Sequence, residues 1–310
     1  MPNSIALLCP GQGAQAVTMG KAWADACPEA RAVFDRADAL LDDRLGAPLS
    51  SLCFDGPADR LNQTDAAQPA IFVAGVASWH GMMAAGMSES DVAATAGLSL
   101  GEYTALHIAG AIGFEDALEL VTLRGRAMQD AADAAPSGMV ALIGADEAQA
   151  TDVCDKARGS DILVPANFNA PGQVVLSGSV EACERAATVA GESGFRATVL
   201  AVAGAFHSPF MAPAAERLKE ALGKTNITPP RCPVYSNVTA RQHDPQHPEQ
   251  IRDRLVEQLT APVRWADLCA RMIADHQGVT SHELAPGKTL AGLMRRIDRG
   301  TKVTKHDTPS

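Results

Sequence analysis

The 310-residue sequence predicts an α/β protein, a parallel-sheet core carrying a smaller inserted βαββαβ unit. Three observations carry this. Ile5-Ala6-Leu7-Leu8-Cys9 is a short apolar run stopped by Pro10-Gly11, the pattern of a buried strand. Val92-Ala93-Ala94-Thr95-Ala96 is a second such run, and it enters a helical pattern through Gly97-Leu98-Ser99-Leu100-Gly101. Between residues 135 and 202, strand and helix patterns follow in the order β-α-β-β-α-β, the split βαβ or ferredoxin-like arrangement.

The remaining elements follow in chain order. Helical periodicity runs from Ala22 to Leu45 and from Gln68 to Ala85. The weakly polar run Ala70 to Met87 is interrupted by Ser78 and His80 and is rich in alanine and glycine. It suits a buried core helix better than a membrane span. A helix begins at Glu102. A long one runs from Phe114 to Ala132, with Leu118, Val121 and Met128 on its apolar positions. Glu115 and Asp116 suit the positive end of its dipole. Ala135-Pro136-Ser137-Gly138 breaks the pattern. The inserted unit then reads as strands Met139 to Ile143, Ile162 to Ala166, Gln173 to Ser177 and Arg196 to Val202. Its helices run from Ala145 to Ala157 and from Val180 to Ser193. A helix (Pro213 to Leu222), a strand (Val234-Tyr235-Ser236) and a helix (Pro248 to Leu259) return the chain to the core. The division expected is a core of residues 1–134 and 203–310 around a subdomain of residues 135–202. The polar tail after Ile297 is expected to be disordered.

Composition narrows the function. Hydrophobic residues make up 46% and aromatics only 4%, so the core must be built from small and aliphatic side chains. The net charge of −10 argues against nucleic acid as a partner. Seven cysteines, with no Cys-x-x-Cys, read as free thiols in a reducing compartment and give no metal site. The apolar segment Ile5 to Cys9 is too short for a signal peptide. A cytoplasmic protein without a membrane partner is expected.

The Gly-x-Ser-x-Gly pattern places Ser99 on a sharp strand-to-helix turn, its hydroxyl pushed outward near the free N–H groups of a helix start. An ordinary turn with a solvent-facing serine is the bland alternative. A serine nucleophile needs a base. Of eight histidines, His207 in Gly204-Ala205-Phe206-His207-Ser208-Pro209 is the best candidate, because it lies on a connecting loop between a strand and a helix. A packing role for it stays open. His243, His247 and His276 fall in polar, surface-like contexts, His80 and His107 inside alanine-rich helices, and His282 stays open beside Glu283. Gln12, in Pro10-Gly11-Gln12-Gly13-Ala14-Gln15, sits at a strand end, where ligands bind in open α/β sheets. The same residues spell a weak dinucleotide pattern. It fails because residues 30–45 read as helix and no strand ending in an acid follows. Arg124 would be costly to bury unless it met an anion, which it could clamp with two parallel hydrogen bonds.

Together these residues resemble the malonyl-CoA:acyl carrier protein transacylase family and the related acyltransferase domains of polyketide synthases. The resemblance spans residues 4–297. It rests on Pro-Gly-Gln-Gly-Ala-Gln (10–15), Gln68-Pro69-Ala70, Gly-x-Ser-Leu-Gly-Glu-Tyr (97–103) and Leu-Arg-Gly (123–125). Asn167 to Val175, Phe206-His207-Ser208, Gln258-Leu259 with Pro262-Val263, and Pro286-Gly287-Lys288 complete it. It implies an α/β-hydrolase-like core with a ferredoxin-like subdomain. It also implies Ser99 as the acylated nucleophile and His207 as general base and acid. The backbone carbonyl of Gln258 would orient the histidine, and the N–H groups of Gln12 and Leu100 would form the oxyanion hole. Arg124 would grip the malonyl carboxylate, with Gln68, Asn167 and Phe206 also binding substrate. The implied partners are malonyl-CoA and holo-acyl carrier protein, with no metal or other cofactor, and the chain is expected to be a monomer. Two departures stand out. Leu98 occupies the family's usual histidine position, and Ala285 replaces a glycine. Phe206 fits the family's malonyl-selective pattern. The rival readings are a serine hydrolase of acyl thioesters and a non-catalytic acyl-CoA-binding homologue.

Overall fold

The computed structural model describes residues 4–309. Among the described residues nine strands form two sheets: β1 (Ile5–Cys9), β2 (Val92–Gly97), β3 (Ser137–Ile143), β4 (Leu163–Ala170), β5 (Gln173–Ser179), β6 (Arg196–Val199), β7 (Val234–Tyr235), β8 (Thr280–Leu284) and β9 (Val303–His306). The first sheet has the order β7-β2-β1-β8-β9 and every pairing in it is parallel. β1 lies at its centre and is buried throughout, as its unbroken apolar run requires. The second sheet has the order β4-β5-β3-β6 and is antiparallel. Counted within the insert, that order is 2-3-1-4, the sheet expected of a split βαβ unit. The protein is thus α/β, with a parallel sheet and a separate small antiparallel one.

The packing follows the composition. The helix Thr64–Ala84 is buried on almost every side, and its many alanines and glycines let neighbours approach closely. The helix Phe114–Ala134 crosses it at Gly125, where a Cβ would press on the Thr64 carbonyl and the Gln68 side chain. That close crossing brings Arg124 beside Gln68. A second apolar cluster, around Trp265, Leu268, Met272 and Leu290, covers the other face of the parallel sheet. The insert has its own core, including Val140, Leu142, Val153, Leu176 and Ala186. β4 also hydrogen-bonds outside its sheet, Phe168 N–H to Val263 O at 2.9 Å and Val263 N–H to Ala166 O at 2.8 Å.

Several expectations need correction. The tail after Ile297 is ordered over Val303–His306, which pairs with β8, and Trp23 Nε1 donates to His306 O at 2.8 Å. Its polar side chains suit an edge strand, where only one backbone side is covered. The helical pattern from Ala22 to Leu45 is two helices, Lys21–Ala26 and Pro28–Leu41, because Pro28 starts a new first turn. β8 and the helices Trp265–Asp275 and Thr289–Ile297 have no counterpart in the sequence reading. The polar composition of β8 hides its burial: Glu283 is fully buried and caps the last of these helices through the N–H groups of Leu290 and Ala291 at 2.8 and 2.7 Å. β6 ends at Val199, three residues early. Among the described residues no helix is long and apolar enough to cross a membrane.

Candidate active site

Ser99 stands between the end of β2 and the helix Gly101–Ile108, at φ +51°. This left-handed conformation is strained for a residue with a side chain, and strain of this kind marks a serine held out on a tight turn. The flanking glycines are steric necessities. A Cβ on Gly97 would overlap the Gly101 carbonyl, and one on Gly101 would overlap the Cys9 carbonyl. Gly11 likewise lies against the Leu98 carbonyl, which brings the loop holding Gln12 onto the serine turn.

The sequence candidates converge. Ser99 Oγ lies 2.8 Å from His207 Nε2, and His207 Nδ1 lies 2.7 Å from the Gln258 carbonyl. That contact puts the proton on Nδ1 and leaves Nε2 to accept from the serine. His207 also has a left-handed backbone, φ +57°. Burial, reinforced by the Arg124 charge, pulls its imidazole down to about 4, while the Gln258 carbonyl opposes the shift. The imidazole is therefore neutral across the physiological range.

Arg124 is 1% exposed and has no carboxylate within ion-pair distance among the described residues. Its Nη1 donates to Gln68 Oε1 at 2.7 Å. Its Nη2 donates to Ser99 Oγ and to Gln258 Oε1, each at 3.0 Å. Its Nε has no partner, and the guanidinium carbon sits 5.6 Å from the centroid of the Tyr103 ring. Burial lowers its pKa. A buried cation held by neutral oxygens alone is an anion site in waiting. Gln68 Nε2 turns to Met128 Sδ at 3.3 Å. Among the described residues the N–H groups of Gln12 and Leu100 make no hydrogen bond.

A cavity of about 400 Å³ opens onto this group. Gln12, Asn167, Phe206 and His207 line it together with Leu98, Ser99 and Met128. Gln68, Leu100, Arg124 and Gln258 do not line it and reach the site from behind the wall. Leu98, where a histidine was expected by resemblance, gives the wall an apolar surface and packs against the Trp265 cluster. Among the described residues there is no group of three or more His, Cys, Asp or Glu placed to hold a metal.

Sequence reasoning missed a second layer. Glu102 is buried and its Oε1 lies 2.8 Å from His243 Nε2. His243 is 5% exposed, which corrects its reading as a surface residue. Asn237 bridges the serine turn, accepting from Ser99 N–H at 2.6 Å and donating to Gly97 O at 2.7 Å. The side-chain amide of Gln258 donates to Ser99 O at 3.1 Å and to Glu102 Oε2 at 2.8 Å. The available signal was Glu102 itself, an acid directly after a nucleophile turn. Its partners are more than 130 positions away and carry no local mark.

With this geometry in hand, comparison with known proteins is informative. The family described as "Acyl transferase domain" matches residues 6–302. The chain is 40% identical over 310 residues to the malonyl CoA-acyl carrier protein transacylase of Bacillus subtilis (strain 168), covering 99% of this chain and 94% of that protein. It is also 40% identical to the protein of that name from Escherichia coli (strain K12), covering 95% and 93%. The solved malonyl CoA-acyl carrier protein transacylase of Coxiella burnetii superimposes with a TM-score of 0.93 at 37% identity, covering 99% and 95%. A type II polyketide acyl-carrier protein in complex with its malonyl-transacylase matches at TM-score 0.91 and 36% identity, covering 99% and 96%.

Proposed function

Because the chain belongs to the acyl transferase domain family that contains these transacylases, we infer that it is an acyl-carrier-protein S-malonyltransferase. It moves the malonyl group from malonyl-CoA to the phosphopantetheine thiol of an acyl carrier protein through a malonyl-serine intermediate. The observation that carries this reading is Arg124, a buried guanidinium without a counter-ion whose Nη2 is 3.0 Å from the same Oγ that His207 contacts. A hydrolase of neutral acyl groups has no use for such a cation.

The steps of this reading use the contacts described above. His207 Nε2 accepts the Ser99 proton as Oγ attacks the thioester carbonyl. The Gln258 carbonyl steadies the imidazolium that forms. The N–H groups of Gln12 and Leu100 hold the developing oxyanion, where each donor is typically worth about 3 kcal/mol in the transition state. The malonyl carboxylate takes over the donors that Arg124 lends to Ser99 Oγ and the glutamine amides, with Gln68, Asn167 and Phe206 around the acyl group. His207 returns the proton to the departing CoA thiolate, and the carrier thiol then reverses the sequence. Thioester exchange is close to isoenergetic and has no redox step, so the reaction calls for no cofactor or metal. The core of residues 1–134 and 203–310 carries the chemistry, and the subdomain 135–202 shapes the cavity. A cytoplasmic location fits the cysteine usage, and the net charge of −10 argues against a nucleic-acid partner.

Intact-mass measurement tests the reading. Incubation with malonyl-CoA adds one malonyl group to the wild type and none to Ser99→Ala, and holo-carrier protein then removes it. Release into water at the same rate with and without carrier would identify a hydrolase. A wild type that stays unmodified would identify a binding homologue.

A further inference from the structure

Glu102 lies outside the reacting group yet touches everything that places it. It is 1% exposed, and its carboxylate accepts from three donors. Oε2 takes Asn237 N–H at 3.1 Å and Gln258 Nε2 at 2.8 Å, and Oε1 faces His243 Nε2 at 2.8 Å. The first two partners each go on to one member of the reacting pair. Asn237 spans the serine turn, with its side-chain oxygen on Ser99 N–H and its side-chain nitrogen on Gly97 O. Gln258 gives its main-chain carbonyl to His207 Nδ1.

We propose that Glu102 and Asn237 are positioning residues for acyl transfer: one buried carboxylate fixes both the clamp on the nucleophile turn and the residue that orients the base. The proposal rests on the assignment of Ser99 and His207 made above. Three physical points support it. The left-handed Ser99 backbone persists only if its surroundings over-determine it. A single Asn amide can accept and donate at once across that turn, which aspartate, leucine and alanine cannot do. Ser99 and His207 are 108 positions apart, so nothing local keeps Oγ and Nε2 in register. The carboxylate joins the two segments that do. His243, through its contact with the other oxygen, stops the carboxylate from rotating. A small displacement of a well-placed nucleophile and base costs rate steeply, while affinity depends on groups elsewhere in the cavity.

The experiment separates positioning from bulk stability. Single-turnover malonylation of Ser99 is followed by rapid-quench intact mass in the wild type, Glu102→Gln, Asn237→Ala and the double variant. Malonyl-CoA affinity is measured by calorimetry with the same substitutions in a Ser99→Ala background, and melting temperature is recorded for each. The expected result is malonylation slowed roughly 10- to 100-fold by either substitution, with Kd changed less than about threefold. The double variant is expected to be no slower than the worse single one, because the two residues act as a unit. Glu102→Gln preserves side-chain volume and carries the test if Asn237→Ala does not fold. Wild-type rates in the single variants overturn the proposal. So do losses that multiply in the double variant, and rates that fall only in step with affinity and melting temperature. A wild type that takes no malonyl group instead overturns the functional reading on which the proposal rests.

Discussion

The two sheets meet at one cavity and bring different things to it. Every ionisable or nucleophilic group of the site, Ser99, Glu102, Arg124, His207 and His243, lies outside the antiparallel sheet and its helices. From within residues 137–179 come only Met139, Asn167, Asn169 and Val175, which are apolar or amide side chains. The parallel-sheet region surrounds its ionisable and nucleophilic groups with hydrogen bonds of 2.6 to 3.0 Å. The insert offers a surface against which a ligand can lie. The difference teaches where precision is needed. Charge and proton transfer demand fixed partners, whereas a wall for an acyl chain and its thioester arm demands shape.

Three measurements break or sharpen that contrast. The largest effect belongs to Arg124→Ala. In the proposed reading Arg124 pairs with the malonyl carboxylate, and removing one partner of a buried charge pair costs about 3 kcal/mol or more, so malonyl transfer is expected to drop roughly a hundredfold, while an uncharged acetyl group is relatively favoured. Unchanged preference between malonyl-CoA and acetyl-CoA would remove the cation from the recognition role.

The second concerns the base. His207 is held down to about 4 by burial and by Arg124. The active form is the neutral imidazole, so kcat/KM for an uncharged acyl thioester is expected to stay flat as pH falls from 8 to about 5 and to be lost only near 4. In Arg124→Ala one of the two lowering causes is gone, and the acid limb moves up toward the ordinary 6.5. A wild-type limb already at 6.5 would show that the site is wetter than its burial indicates.

The smallest effect is expected on the insert wall. Met139→Ala removes a buried side chain that lines the cavity. It is expected to cost about 2 kcal/mol of stability, read by chemical denaturation, yet to leave malonyl transfer within about threefold. A loss on the scale of Arg124→Ala would mean that the insert does more than shape the cavity.

How much of this was legible depended on how local the cause was. The Ser99 turn was readable because its glycine spacing is a local pattern and the strand before it an unbroken apolar run; a Cβ on Gly97 would meet Gly101 four residues on, whereas the need for Gly101 itself comes from the distant Cys9 carbonyl. His207 was readable only by elimination and by resemblance. Nothing near it marks it as a base, since its partners come from residues 99 and 258. His243 was read as a surface residue because its neighbours Gln242 and Asp244 are polar, yet it faces a carboxylate 141 positions away. The same limit hid β8, a polar strand that is buried by pairing with β1 from the other end of the sequence. It also made the polar tail read as disordered when Val303–His306 forms an edge strand.

By itself, then, the sequence determined the α/β class, the order of the insert's elements, the serine turn and the need for a partner to any buried arginine. Each follows from short-range sterics, periodicity or the cost of an unpaired charge. Only the tertiary structure decided that Glu102, Asn237 and Gln258 join into one hydrogen-bonded set, and that Arg124 is held by neutral oxygens beside Ser99. Whether a polar side chain is buried and satisfied depends on donors and acceptors delivered from distant segments, and those meet only once the sheets have formed.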